Sequence, residues 1–84
     1  MTYTLKIVTP DEVFFEGQVE HVEVPGALGY LGILANHAPL VTAVEKGNLT
    51  YRDEHGKTET VSVEGGFLEA FQNRVLVLTD KIQK

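Results

Sequence analysis

The sequence predicts an all-β fold, a flattened β-sandwich or barrel of about ten short strands. Short runs of branched and aromatic residues recur along the chain, and glycine, proline or asparagine separates them. The segment best suited to a helix, residues 35–44, contains Pro39, which removes an amide donor and clashes with the preceding turn. The length of 84 residues argues for one domain.

The first strands are predicted from alternation and from the turn residues that end them. Residues 3–7 alternate apolar and polar side chains, as a strand with one buried face does. Residues 12–16 form an aromatic run for which burial is slightly favoured over an exposed partner surface. In residues 19–24 the apolar phase slips, which predicts a bulge near His21.

Two hairpins are predicted in the second half of the chain. Their strands are residues 47–52 with 58–63, and residues 66–71 with 74–79. The first pair flanks a five-residue loop at 53–57, and the second flanks Gln72-Asn73, where asparagine tolerates a positive φ. Residues 75–78 are all apolar, which predicts an interior strand buried on both faces. Residues 1–80 are therefore assigned to the β-sandwich domain, and residues 81–84 to a loose tail.

Composition limits the classes of partner. The chain has no cysteine, so disulfides, thiolate metal sites and cysteine nucleophiles are excluded. A net charge of −5 disfavours nucleic acid and anionic lipid, and favours a positively charged protein surface. No apolar run approaches the roughly 18 residues that span a bilayer. The expectation is a cytosolic protein with no direct membrane insertion.

No group of residues predicts catalysis, a cofactor or a metal. His21, His37 and His55 lack metal-ligand spacing, and His37 lies at a corner before Pro39, where it can hydrogen-bond within its own loop. Three glycines, at positions 26, 29 and 32, resemble a phosphate loop only faintly, because no helix follows them. The only serine, Ser62, has no base nearby in the sequence.

Several motifs in order resemble the epsilon subunit of F-type ATP synthases. They are Gly29-Tyr30-Leu31-Gly32-Ile33, His37-Ala38-Pro39-Leu40, Thr42-Ala43, Gly65-Gly66-Phe67-Leu68-Glu69 and Val75-Leu76-Val77-Leu78-Thr79-Asp80. The resemblance covers essentially the whole chain. Three features differ: Tyr30 stands where many relatives have an acid, Ala35-Asn36 replaces a Pro-Gly pair, and the helical hairpin that usually follows the sandwich is not in this sequence.

The resemblance implies a non-catalytic rotor subunit in the central stalk. Such a subunit couples the gamma subunit to the membrane c-ring during proton-driven ATP synthesis, at the cytoplasmic face of the energy-transducing membrane. Without the hairpin, the restraint that it places on ATP hydrolysis would be absent. The residues implied on the gamma-facing side are Thr9, His37, Thr42 and Val77. Those implied at the c-ring are Ala27, Leu28, Gly29 and Tyr30.

Two other functional classes are compatible with a small β domain. A carbohydrate-binding module is disfavoured because it normally presents tryptophan or tyrosine platforms, and the chain has no tryptophan. A small enzyme is disfavoured by the lack of an acid–base pair. The sequence leaves open whether the isolated domain self-associates through its gamma-facing side.

Overall fold

The computed structural model describes residues 1–36 and 38–83, which form a single sheet that closes on itself. The strands are β1 (Tyr3–Val8), β2 (Val13–Gly26), β3 (Gly29–Ile33), β4 (Leu40–Asp53), β5 (Thr58–Phe71), β6 (Arg74–Thr79) and β7 (Ile82–Gln83). Their order is β1-β6-β5-β4-β2-β3, with β7 on β5, and a β1–β2 pairing closes the barrel. The predicted all-β class is confirmed.

The strand count differs from the prediction because three strands are long. β2, β4 and β5 have 14 residues each, and each passes from one layer of the flattened barrel into the other. The first half of β4 and the second half of β5 form one layer with β6, β1 and the start of β2. Their remaining halves form the other layer with β3 and β7. Counting each half separately recovers about ten short segments, whereas the chain has seven continuous strands.

The crossing between layers requires the buried side of a strand to switch. In β5, Val61 and Val63 are buried before the switch, and Leu68 and Ala70 after it. These odd and even positions lie on opposite faces of a regular strand, so an irregularity must separate them. Gly65 and Gly66 occupy that point with φ of 94° and 139°, which a residue with a Cβ rarely adopts.

The bulge predicted near His21 is present in β2. The β2–β4 register pairs Val19 with Asp53 and His21 with Arg52, so it shifts by one residue between these positions. Val19 is buried before the shift, and Val22 and Val24 after it. The slip in apolar phase was therefore a correct signal of a bulge.

The predicted turn positions are also confirmed. Gln72 and Asn73 both have positive φ, 48° and 61°, as the mirror-image turns of two-residue hairpins require. Asn36 has φ 64°, a left-handed turn conformation that asparagine tolerates. The other hairpin turn is held by Asp53, which exchanges backbone hydrogen bonds with Gly56 and Lys57.

One apolar core fills the barrel. Its fully buried residues come from every strand except β7, and the largest are Tyr3, Leu5, Ile7, Ile33, Leu49 and Leu68. The aromatic run of β2 is half-buried against this core, and the Phe15 ring lies 4.5 Å from the Tyr51 ring. Val13, at the start of that run, is half-exposed. The prediction of burial is therefore correct for the two phenylalanines and wrong for the valine.

Two expectations about the C-terminal part are corrected. Ile82 and Gln83 are not a loose tail, because they pair as β7 with Val63 and Ser62 of β5, and Ile82 packs on the core. Strand β6 is interior, between β1 and β5, but it is buried on one face only. Leu78 is exposed because no second layer covers the outer face of this part of the sheet.

Candidate functional site

A band of apolar side chains crosses the outer face of the layer that contains β6. The register aligns Ala43 of β4 with Phe67 of β5, Phe67 with Leu78 of β6, and Leu78 with Val8 of β1. Val8 in turn aligns with Val13 of β2. Paired residues on neighbouring strands project to the same side of a sheet, so the band runs across five strands.

The neighbouring rows extend this band on the β4–β5–β6 side. Val41, Glu69 and Leu76 align in the next row, and Phe71 follows Glu69 along β5. We call this surface the apolar face and define it by its outward side chains, Val8, Val13, Val41, Ala43, Phe67, Phe71, Leu76 and Leu78. The exposed fractions are 69% for Val41, 60% for Phe67, 54% for Phe71 and 45% for Leu78. Large apolar side chains are therefore in water without cover.

The opposite layer has a different outer surface. There the Thr50 and Thr60 hydroxyls hydrogen-bond across β4 and β5 at 3.0 Å. The Arg52 guanidinium forms an ion pair with Glu20 of β2 at 2.9 Å. A polar surface of this kind is well solvated and needs no partner. The two outer surfaces of the barrel thus differ in polarity, and only one of them is suited to burial.

A groove borders the apolar face at the end of β6. It encloses about 500 Å³ and is open to solvent. Its lining residues are Val8, Thr9, Pro10, Gly66, Phe67, Leu78, Thr79 and Asp80. Thr9 is held there by reciprocal backbone hydrogen bonds with Glu12 of 2.9 and 3.3 Å, and the Thr79 hydroxyl donates to the Gly65 carbonyl oxygen at 2.6 Å. The groove is therefore a stable feature beside Phe67 and Leu78.

A second candidate surface is the tip of the β2–β3 hairpin. Gly26 pairs with Gly29, so the connecting loop consists of Ala27 and Leu28 alone. Gly29 has φ 120°, a conformation that favours glycine at the close of a tight turn. Leu28 is fully exposed and Tyr30 is 59% exposed. The hairpin presents an apolar tip and an aromatic ring on a short, rigid loop.

The four residues expected at the c-ring lie together at this tip, and all four are exposed. The gamma-facing set is more dispersed. Thr9 is half-buried at the groove, and Thr42 is half-buried on β4. His37 lies outside the described residues.

The assignment of Val77 to a partner surface is corrected by its position in the core. Thr42 aligns with Leu68, and Leu68 with Val77, so this row faces inward, and Val77 is fully buried. The side chain that reaches solvent is that of Leu78, one residue further on. Phe67, Val41 and Phe71 were not singled out as site residues. The apolar run of β6 was the available signal, because an interior strand with no cover shows its second apolar face to solvent.

In residues 1–36 and 38–83, no three histidine or acidic side chains converge as a metal site would require. Within the same part of the chain, no helix is long and apolar enough to cross a membrane. What the structure does present is two separate surfaces suited to contact with other proteins.

A rigid β-barrel with one exposed apolar face and an exposed hairpin tip defines a class of protein-binding domain. The family model of the ATP synthase delta/epsilon chain β-sandwich domain matches residues 2–84, and the chain belongs to this family. The ATP synthase epsilon chain of Desulforamulus reducens is 46% identical over 83 residues, which are 99% of this chain and 62% of that one. The epsilon chain of Moorella thermoacetica is 41% identical over 80 residues, 95% of this chain and 60% of that one.

Two solved structures share the fold. A chain of the Euglena gracilis mitochondrial ATP synthase OSCP/F1/c-ring assembly superposes with a TM-score of 0.91 at 24% identity, over 96% of this chain and 52% of that one. A chain of the Tetrahymena thermophila mitochondrial ATP synthase central stalk and c-ring gives 0.78 at 14% identity, over 94% and 63%. The chain spans about three-fifths of the length of the curated relatives that it matches.

Proposed function

We propose that this chain is a non-catalytic component of the ATP synthase central stalk that couples the gamma subunit to the membrane c-ring during proton-driven ATP synthesis. In this proposal the apolar face binds gamma and the hairpin tip, residues 27–30, contacts the polar loops of the ring. The domain is then a peripheral component at the cytoplasmic face of the energy-transducing membrane. It turns with gamma and the ring as one body.

The observation that carries the proposal is the exposure of Phe67 and Leu78 in the middle of a regular sheet. Isolated apolar side chains on a surface are ordinary, but a contiguous apolar patch on a small domain marks an interface. This patch is also flat, since it lies on the outer side of five paired strands. A flat apolar sheet face is suited to a large, elongated protein partner more than to a small ligand, which prefers an enclosed cavity.

The barrel architecture supports a coupling role. The β1–β2 pairing closes the sheet, and the crossing strands β2, β4 and β5 are shared by both layers. A load applied at the hairpin tip is therefore transmitted through backbone hydrogen bonds to the apolar face. Rotation without slippage requires a stiff connection of this kind between two separate contact surfaces.

We revise the proposed gamma-facing set. We keep Thr9 at the rim of the proposed interface, and Leu78 replaces Val77 at its centre together with Phe67. Thr42 lies in the inward-facing row with Leu68 and Val77, so it is behind this surface and not on it. A contact between His37 and gamma stays a prediction from the resemblance. At the c-ring contact, Leu28 and Tyr30 supply the contact area. The aromatic side chain of Tyr30 takes the place of the acid found in many relatives.

Two single variants test the proposal through opposite outcomes. Phe67→Ser removes an exposed ring from the apolar face, and Leu28→Ser removes the exposed tip of the hairpin, so neither should unfold the domain. Reconstitution with the gamma subunit and with the c-ring of the same ATP synthase is measured separately. We expect Phe67→Ser to lose gamma and Leu28→Ser to keep it, with the reverse pattern for the ring. Undiminished gamma binding by Phe67→Ser contradicts the proposal.

Sedimentation of the isolated domain provides an independent control. If the wild-type domain dimerises and Phe67→Ser is monomeric, the apolar face binds a second copy when gamma is missing. Competition between this dimer and added gamma is then expected. A dimer that persists in the presence of gamma would contradict the assignment of this face to gamma.

A further inference from the structure

A single carboxylate lies at the centre of the apolar face. Glu69 has Phe67 and Phe71 on either side of it along β5, and the register places Val41 and Leu76 directly across from it. Cross-strand neighbours and residues two apart on one strand are the nearest side chains on a sheet surface. All four nearest neighbours of this acid are therefore apolar.

The carboxylate has no internal partner in the structure. Among the described residues, the Glu69 side chain takes part in neither a hydrogen bond nor an ion pair. Its side chain is exposed, so in the free domain water solvates the charge. Arg74 aligns with Phe71, which places it only diagonally from Glu69, and it makes no ion pair with it.

The other charges of this outer surface are arranged differently. Lys6 of β1 aligns with Glu16 of β2, so a cation and an anion stand opposite each other at the margin. Glu69 has no such counterpart, because Leu76 separates it from Lys6 in the same row. The carboxylate at the centre of the face therefore has no cation directly opposite it among the described residues.

Covering the apolar face would remove water from this carboxylate. An ionised carboxylate that loses its hydration without gaining a partner is strongly unfavourable, whereas a charged hydrogen bond in the same place is short and strong. We propose that Glu69 determines partner specificity by forming an ion pair with a lysine or arginine that the partner presents within its own apolar contact surface. This inference rests on the proposed function, in which the partner is the gamma subunit.

The consequence is discrimination against other apolar surfaces. A partner that lacks the cation would bury an unpaired acid on docking, which penalises the wrong complex more than it weakens the right one. The apolar side chains then supply contact area, and the central charge sets partner choice and register. A second copy of the same face would bring two Glu69 carboxylates together, which opposes tight self-association.

The test uses the 84-residue chain and the gamma-containing stalk assembly prepared without it, with affinity measured by titration. Glu69→Gln keeps the size of the side chain and removes its charge, and we expect affinity to fall at least tenfold. Glu69→Leu should also bind more weakly, since it too leaves the partner's cation without an anion. The matched control is Glu64→Gln, an exposed acid on the same strand but on the other layer, for which we expect less than a twofold change.

The outcomes separate this inference from the proposed function. If Phe67→Ser abolishes binding while Glu69→Gln or Glu69→Leu binds as well as or better than wild type, the apolar face is the interface and the ion pair is wrong. If Phe67→Ser has no effect, the proposed function itself fails. Arg74→Gln completes the set: a loss equal to that of Glu69→Gln would show that Arg74 is the counter-ion, which also overturns the inference.

Discussion

The hydroxyl of Tyr3 donates a 2.6 Å hydrogen bond to the carbonyl oxygen of Ile33. Tyr3 begins β1 in one layer and Ile33 ends β3 in the other, and both residues are fully buried. The bond therefore crosses the core and joins the two layers near one end of the barrel. It also satisfies a carbonyl at the last residue of a strand, where the ladder ends.

Tyr3→Phe is expected to destabilise the domain without changing its fold. The ring still fills its place in the core, but the buried Ile33 carbonyl loses its donor, at a cost of about 1–2 kcal/mol. Urea unfolding followed by circular dichroism measures the difference. Tyr30→Phe, at an exposed ring, serves as control and should change the free energy of unfolding by less than about 0.5 kcal/mol. Equal effects of the two variants would contradict the importance of the buried bond.

Alkaline pH is expected to destabilise the wild type through the same residue. Burial raises the pKa of Tyr3 from its ordinary value of 10.0 to about 12, and a backbone hydrogen bond with Val22 lowers it to a smaller extent. The unfolded chain loses this proton first, so the contribution of Tyr3 is complete below about pH 10 and is lost as pH rises towards 12.

The magnitude follows from the separation of the two pKa values. A difference of about two units corresponds to a loss of about 2–3 kcal/mol over this range. Tyr51, whose pKa is also raised, by burial first and then by the charges of Glu59 and Asp53, adds a loss of the same sign. The free energy of unfolding, measured from neutral pH to about pH 11, should therefore fall less steeply for Tyr3→Phe than for wild type. If the free energy of unfolding fell equally with pH in both proteins, the role of Tyr3 in alkaline destabilisation would be contradicted.

Gly66→Ala is expected to destabilise the domain strongly, although Gly66 is not part of the buried core. A Cβ at this position would overlap the carbonyl oxygen of Leu78 on the adjacent strand, and the φ of 139° is also unfavourable for alanine. The expected loss is about 2–4 kcal/mol. Gly56→Ala is the matched control, because it has a φ of 84° but open space around it, and should lose about 1 kcal/mol. Similar losses would show that steric overlap at Gly66 is relieved easily.

The turn between β4 and β5 is expected to make stability sensitive to acid. The Asp53 carboxylate accepts hydrogen bonds from the backbone N–H groups of Lys57 at 3.0 Å and His55 at 2.8 Å. The first of these is the largest cause that holds the pKa of Asp53 below its ordinary value of 3.8. Its contribution is therefore present above that value and is lost as pH falls through the lower pKa of the folded chain.

Asp53→Asn tests this in a single comparison. The variant should have a lower urea midpoint than wild type at neutral pH, because its neutral oxygen is a weaker acceptor. The difference between the two midpoints should narrow as pH falls below 3.8, the ordinary pKa of the carboxyl. Glu54→Gln, the adjacent exposed acid in the same turn, provides the control and should show no such convergence. If the difference between the two urea midpoints were the same at all pH values, the loss of stability would be due to turn geometry and not to the charge of Asp53.

Local signals in the sequence determined much of this protein. Alternation gave the strand class, the phase slip gave the bulge at His21, and asparagine and glycine gave the turn positions. These features depend on a few neighbouring residues, and the backbone preferences of those residues decide them. The residues of the β2–β3 hairpin tip were named from the family resemblance, and the pairing of Gly26 with Gly29 that forms this tip is seen only in the structure.

Only the tertiary structure decided which side of β6 is covered. The run Val75–Leu78 is apolar at every position, so alternation alone could not show that Val77 points inward and Leu78 outward. The continuity of β4 and β5 through both layers was equally hidden, since glycine ends a strand as readily as it bends one. The apolar face arises because register brings Phe67 and Leu78, residues of different strands, side by side. Pairing between segments distant in sequence sets that register, and no local preference contains it.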